Sequence, residues 1–304
     1  MTAPATLSDR TMVDAVSTVP NLGARQWQAR IMAFILFAAT LLALFALAVL
    51  IWTVIARGWS WLRPDLLTNT RTTGTPERLG LQRALLGTLW VIPLTAAFAF
   101  PVGVLGAVYL EEYAPRNWWT RILRINISNL AGVPSVVYGL LGLGIFVEFF
   151  GFGRSILAGA LALGLLILPI VIVSSQEALK AVPSSLREAA YGLGATKWQV
   201  IRHHVLPVAL PGVLTGTILA LATAMGETAP LLVTGASATV TRNPQSVFDG
   251  YTVVPVQIYG WSGQASDAYR EVAAAAIIVM MVILLVMNGF AIALRQHFSR
   301  KLRW

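Results

Sequence analysis

Glu227 is the one ionisable side chain expected well inside a long apolar run. A carboxylate at membrane depth is a functional candidate, because leaving it unpaired in hydrocarbon is costly. Helical spacing places Gly216, Ala220, Thr223 and Glu227 along one stripe. Small and polar residues on one stripe suit either close helix contact or a wetted path. A lone carboxylate there can act as a proton acceptor, as the partner of a cation, or as a gate that limits the dwell time of an anion. The plainer alternative is a strut hydrogen-bonded between helices. A second candidate is Gly132-Val133-Pro134-Ser135, which interrupts another apolar region near its cytoplasmic start. Irregular backbone within a membrane is tolerated where it is buried or lines a cavity, and freed amides beside Pro134 and Ser135 can hold an anion. An ordinary proline kink is the competing account.

Other chemistries lack their residues. There is no cysteine, hence no disulfide, thiolate nucleophile or Cys-based metal site. His203, His204 and His297 form no His-Glu-x-x-His arrangement, and no metal ligation is expected. No Gly-x-x-x-x-Gly-Lys-[Ser/Thr] sequence occurs, so the chain is expected to bind neither ATP nor another cofactor itself. Gly142-x-Gly144 and Gly151-x-Gly153 lack the strand context of a dinucleotide fingerprint. With no second convergent group beside Glu227, an enzyme is not expected.

The elements that must position these residues are membrane helices. The chain is 57% hydrophobic and 12% charged, with mean hydropathy +0.71, where soluble domains carry about 25% charged residues. Six spans are expected, near Ile31–Ile55, Ala84–Leu110, Ile122–Phe150, Ser155–Ser175, Pro211–Val233 and Val272–Leu294. The fold class is therefore all-α, a polytopic bundle. Residues 1–30 read as a polar tail, 31–80 as the first helix with its external loop, 81–295 as the main membrane domain, and 296–304 as a basic end. Trp59, Trp61, Trp118, Trp119 and Trp261 flank spans as interfacial anchors do. The net charge of +9 reports membrane orientation rather than nucleic-acid binding. With both termini inside, 14 of the 22 Lys and Arg residues fall on the cytoplasmic side, although the first span alone favours the opposite sense.

One polar stretch, residues 176–210, is more elaborate than a bundle needs. Ser185-x-x-Glu188 fits a capping box that opens a helix after Pro183, and Gly192 with Gly194 would end it. Thr196-x-x-Gln199 fits a second box, with Pro207 limiting the second helix. Two short helices thus meet at a thin elbow where another protein surface can approach. Within this stretch Glu188-Ala189-Ala190, then Gly194, then Leu206-Pro207 resemble the "EAA loop" of binding-protein-dependent ABC importer permeases. His204 stands where that pattern usually has Ile. The resemblance implies the type I importer (MetI-like) permease fold, with Glu188, Ala189, Ala190, Gly194, Leu206 and Pro207 forming coupling helices for a separate ATPase.

Further segments narrow the resemblance. Tyr109–Pro115, Gly132–Leu140, Gly226-Glu227-Thr228-Ala229-Pro230 and Val254–Tyr259 are similar to the phosphate-specific transport permeases, in the PstA-type branch. That likeness implies phosphate import alongside a PstC-like second permease subunit. It also implies a PstB-like ATPase dimer that binds ATP and Mg, a PstS-like binding protein outside, and membrane lipid around. Glu227, Thr223, Pro134 and Ser135 would then border the translocation path. Those permeases commonly place Arg four residues before the Glu, whereas this chain has Thr223. A permease for sulfate, molybdate or phosphonate is the alternative, and an uncoupled channel or scaffold a more distant one.

Overall fold

The computed structural model describes residues 22–300. Of the expected tail, positions 1–21 lie outside the described residues, while 22–30 already belong to the first helix. Positions 301–304 of the basic end also lie outside them. Helices are the regular elements of the described residues, with no strand among them. The chain divides into two units, residues 1–53 and 54–304. The first contributes most of helix α1, Leu22–Gly58. At about 1.5 Å per residue that helix is longer than the roughly 30 Å of a bilayer core.

The second unit holds the remaining spans. α2 is Pro64–Thr68. α3, Gln82–Val108, runs on into a π-helical turn at Tyr109–Tyr113, so Glu111 and Glu112 extend the helix beyond the expected span end at Leu110. α4 is Trp118–Leu130 and α5 is Ser135–Gly142, extended by a π segment at Leu143–Phe149. α6 is Ile156–Lys180 and α7 is Ser184–Gly192. α8, Lys197–Val200, passes through a π segment at Ile201–Val205 into α9, Leu206–Gly226. α10 is Ala229–Thr234, α11 Val254–Ser262 and α12 Asp267–Arg300. Five of these helices are long and apolar enough to cross a membrane, or six if α4 and α5 count as one bent span.

That pair corrects the expected third span. α4 and α5 meet at 103°, so the two do not form one straight helix. Pro134 removes an amide and forces Val133 out of helical geometry. The last carbonyl of α4 is then capped from the side, by Tyr138 donating through its hydroxyl to Leu130 O at 2.7 Å.

Close packing around α6 sets the rest of the bundle. A Cβ added to Gly103 on α3 would fall 2.6 Å from Val171 Cγ1, and one on Gly212 of α9 2.8 Å from Ala178 Cβ. Small residues thus let three helices approach through dispersion contact, the main attraction available in lipid. The stretch between the expected spans Pro211–Val233 and Val272–Leu294 proves partly helical. One face of α11 is buried there, with Gln257 Nε2 and Trp261 Nε1 both donating to Thr72 O at 3.2 and 2.9 Å. Trp261 is therefore a core residue of that end and not an interfacial anchor. Trp59, Trp118 and Trp119 are exposed as anchors would be.

Candidate functional site

The loop from Pro183 to Pro207 is fastened to one end of the bundle. Arg187 Nη2 pairs with Glu112 Oε1 at 3.0 Å, the side chains being 20% and 10% exposed. The same guanidinium donates to Val182 O at 2.7 Å and Leu179 O at 2.9 Å, closing the end of α6. Beside it Arg124 pairs with Glu111 at 3.0 Å and donates to Leu110 O. Beneath these pairs Ala190, Val200, Ile201 and Val205 pack with Val108 and Leu179 into one apolar cluster. Two glutamates at the end of a span, followed by Arg124 and Arg187 in later polar segments, were the available signal; sequence reading missed the pairing.

The local geometry differs in part from the expected one. α7 opens two residues early, on Pro183, with no side-chain cap. Ser185 therefore lies inside the first turn, too late to cap it, and the Ser185–Glu188 box does not form. The second box does form: Thr196 accepts from Gln199 N while the Gln199 side chain accepts from Thr196 N at 2.8 Å. Gly194 adopts φ +82, the left-handed conformation in which a side chain is strained. Pro207 does not limit the second helix. The π segment at Ile201–Val205 widens the helix one turn before Pro207 withholds its amide, and the helix continues to Gly226.

Of the six coupling candidates, Ala190 faces the bundle, Leu206 and Pro207 are half-buried, and Glu188, Ala189 and Gly194 are exposed. The loop also presents apolar side chains outward. Leu193 is 90% exposed and Trp198 49%, with Tyr191 exposed beside them. Large apolar groups held outward on a clamped scaffold mark an interaction surface.

The second candidate region is a helix break. α9 ends at Gly226, and Glu227 is extended (φ −78, ψ 121) before α10 starts at Ala229. Glu227 thus sits at the end of a half-helix, half-buried, rather than inside a continuous one. The expected stripe also divides. Gly216 and Ala220 are buried, whereas Thr223 is exposed and donates to Leu219 O at 3.0 Å. Glu148 is a second carboxylate within an apolar region, exposed near the end of the π segment. Glu227 joins no ion pair among the described residues; the pairs are Arg124–Glu111, Lys180–Glu177, Arg187–Glu112 and Arg270–Asp267.

α5 and α10 lie side by side and point the same way. A Cβ on Gly139 would meet Pro230 and Val233, and one on Gly142 would meet Thr234. Their N-terminal ends, Ser135 and the Glu227–Thr228 break, therefore lie together. Gly142 also abuts Ala162, two turns into α6, and Ser135 is two turns further from that end. The break at Pro134 is accordingly deep in the bundle and not at its cytoplasmic start. Two interrupted helices meeting at depth give free backbone amides a polar environment within an apolar shell. Among the described residues no group of three His, Asp or Glu could hold a metal ion.

A family model described as the binding-protein-dependent transport system inner membrane component matches residues 99–304, a range containing both the clamped loop and the paired breaks. The chain belongs to the binding-protein-dependent transport system inner membrane component family. It is 42% identical over 200 residues to the phosphate transport system permease protein PstA 1 of Mycobacterium tuberculosis (strain CDC 1551 / Oshkosh), covering 65% of this chain and 66% of that protein. The match thus spans just under two thirds of that relative's length. Identity to PstA of Mycobacterium leprae (strain TN) is 37% over 252 residues, covering 81% of this chain and 82% of that one. Among solved structures, a bacterial ABC transporter involved in the import of the acidic polysaccharide alginate superposes with TM-score 0.60 at 17% identity, over 92% of this chain and 100% of that one. That likeness establishes the fold, the type I importer permease bundle. As a member of this inner-membrane family, the chain is a multi-pass membrane protein.

Proposed function

We propose that this chain is the permease subunit of an ATP-binding-cassette importer that carries inorganic phosphate across the cytoplasmic membrane. Its likeness to phosphate transport system permease proteins supports the substrate. The single observation that carries the mechanism is the clamped loop, with Leu193, Trp198 and Tyr191 turned outward over the Arg187–Glu112 pair. A PstB-like ATPase seats on that surface and supplies the bound ATP and Mg. As the ATPase dimer closes, the rigid loop transmits the motion to α6 and α9. A PstC-like subunit completes the path, and a PstS-like protein delivers substrate from outside. Both termini are cytoplasmic in this arrangement, which puts the loop on the same side as the motor.

Substrate passes the paired breaks at Ser135 and Glu227. Thr223 is exposed beyond the buried Gly216–Ala220 packing on the same stripe, and the second subunit can complete the lining there. Thr223, in place of the Arg usual at that position, is the observation that favours the second reading, import of another oxyanion. Uptake of radiolabelled phosphate into vesicles containing the co-expressed complex, competed by sulfate and by arsenate, decides between the two. Dominant competition by sulfate would sink the phosphate assignment.

The loop itself makes a prediction. Leu193→Asp places a charge on a 90% exposed position, so membrane insertion survives. Uptake should fall at least about ten-fold, because truncating or charging a central interface anchor typically costs 2 kcal/mol or more. Gly194→Val, strained at φ +82, and disruption of Glu188 are expected to uncouple ATP hydrolysis from uptake in the same way. Normal uptake by all three variants would count against this surface as the ATPase seat.

A further inference from the structure

The segment between α10 and α11 folds over the first turn of α3, at the end of the bundle opposite the Arg187–Glu112 pair. A cavity of about 790 Å³ lies there, lined by Arg83, Arg242, Ser237, Thr239, Asn243 and Asp249 among others. Arg83 Nη1 donates to Val240 O at 3.0 Å, while its Nε is buried with no acceptor. Neither arginine is ion-paired among the described residues. Ser237 Oγ and Thr239 Oγ1 lie 3.0 Å apart, and Thr239 N donates to Ser237 Oγ at 3.2 Å, which sets both hydroxyls at the cavity wall. Asp249 is the one carboxylate of the lining, and its charge serves the local turn. Its Oδ2 accepts from Gln245 N at 2.7 Å and Ser246 N at 2.8 Å. Those two amides, with Arg242 nearby, hold its carboxyl below the usual range.

We propose that this cavity is an outer receiving site for a small tetrahedral oxyanion, with Arg83 and Arg242 as its charge partners and Ser237, Thr239 and Asn243 as neutral donors. Two guanidiniums against one already-occupied carboxylate leave an uncompensated positive charge. Guanidinium donors match the edges of an oxyanion two at a time. The cavity is far larger than the roughly 30 Å³ of liquid volume per water, so the anion enters with much of its hydration shell. Binding is correspondingly weak and fast, as suits a site that passes its occupant onward rather than storing it. Arg83 and Arg242 supply the cationic attraction that Thr223 does not provide at the membrane break. The site's part in import rests on the function proposed above; its affinity for anions does not.

The test measures binding of labelled inorganic phosphate, and separately of labelled sulfate, to the full chain in lipid nanodiscs, each competed by both unlabelled anions. Wild type is expected to bind saturably. Arg242→Gln should weaken binding about ten-fold, the loss expected for one charge-assisted contact. Arg83→Gln should do the same. Because Arg83 also holds Val240, Arg83→Lys is the control that keeps the charge, and it should retain more binding than Arg83→Gln. In the assembled transporter Arg242→Gln should raise KM for uptake about ten-fold and leave kcat within about two-fold. Absence of wild-type binding to either anion, or wild-type affinity and KM in Arg242→Gln, would overturn the site. Binding of sulfate but not phosphate would support the cavity while removing the phosphate assignment.

Discussion

Replacing Arg187 by Gln is expected to release the coupling loop and to abolish uptake. The guanidinium joins three partners that meet nowhere else: the Glu112 carboxylate, Val182 O and Leu179 O. With Glu112 only 10% exposed, its removal strands a mostly buried carboxylate. Breaking such a pair from one side costs about 3–5 kcal/mol, most of it the penalty of the uncompensated charge. The lone surface pair Lys180–Glu177, with side chains 41% and 66% exposed, should contribute at most about 1 kcal/mol by comparison. Glu112→Gln should harm the loop as Arg187→Gln does. The double variant Arg187→Gln/Glu112→Gln should recover part of the loss, since no charge is then left buried. Protease cutting between residues 184 and 207 of the membrane-inserted chain reads the loop directly, and uptake reads its consequence. If both single variants resisted cutting as well as wild type does, the clamp would be ruled out as the fastening of the loop.

How far the sequence could be read depended on the range of the interaction concerned. Long apolar runs specify spans through composition alone, so five of six expected helices appear where hydropathy puts them. The Thr196–Gln199 box was readable because all its atoms lie within three residues. Ser185–Glu188 has the same spacing but fails, since Pro183 already takes the N-cap position two residues earlier. Pro207 misled for the opposite reason. Proline is a breaker only when nothing upstream adjusts, and the π segment at Ile201–Val205 adjusts. Glu227 was expected mid-helix because Ala229 and Pro230 look as apolar as what precedes them. The break becomes visible only where α10 leans on Gly139 and Gly142 of α5. Trp261 read as an anchor because its partner, Thr72 O, is a backbone atom 189 positions away. The Arg187–Glu112 clamp is likewise tertiary, spanning 75 positions.

Gly139→Leu is the substitution expected to damage transport most without touching a charged or coupling residue. A Cβ at Gly139 would lie 2.8 Å from Pro230 Cα and 3.0 Å from Val233 Cβ. The nearer obstacle is backbone, in a half-helix of six residues, so no rotamer change can relieve it. Overpacking of this kind costs about 1–3 kcal/mol or more. It can be relieved only by moving α10 away from α5. Because α10 begins two residues after Glu227, that movement separates the two interrupted helices whose ends lie together. Gly144 lies further along the same extended helix with nothing within 4 Å of an added Cβ, so Gly144→Leu adds the same bulk without the collision. Both variants should insert in the membrane. Uptake by Gly139→Leu should drop at least about ten-fold, as misplacing groups at a working site by a fraction of an ångström to one ångström costs that much or more. Gly144→Leu should stay near wild type. Equal uptake by the two variants would show that the contact between α5 and α10 fills space only, and that the paired breaks are not part of the path.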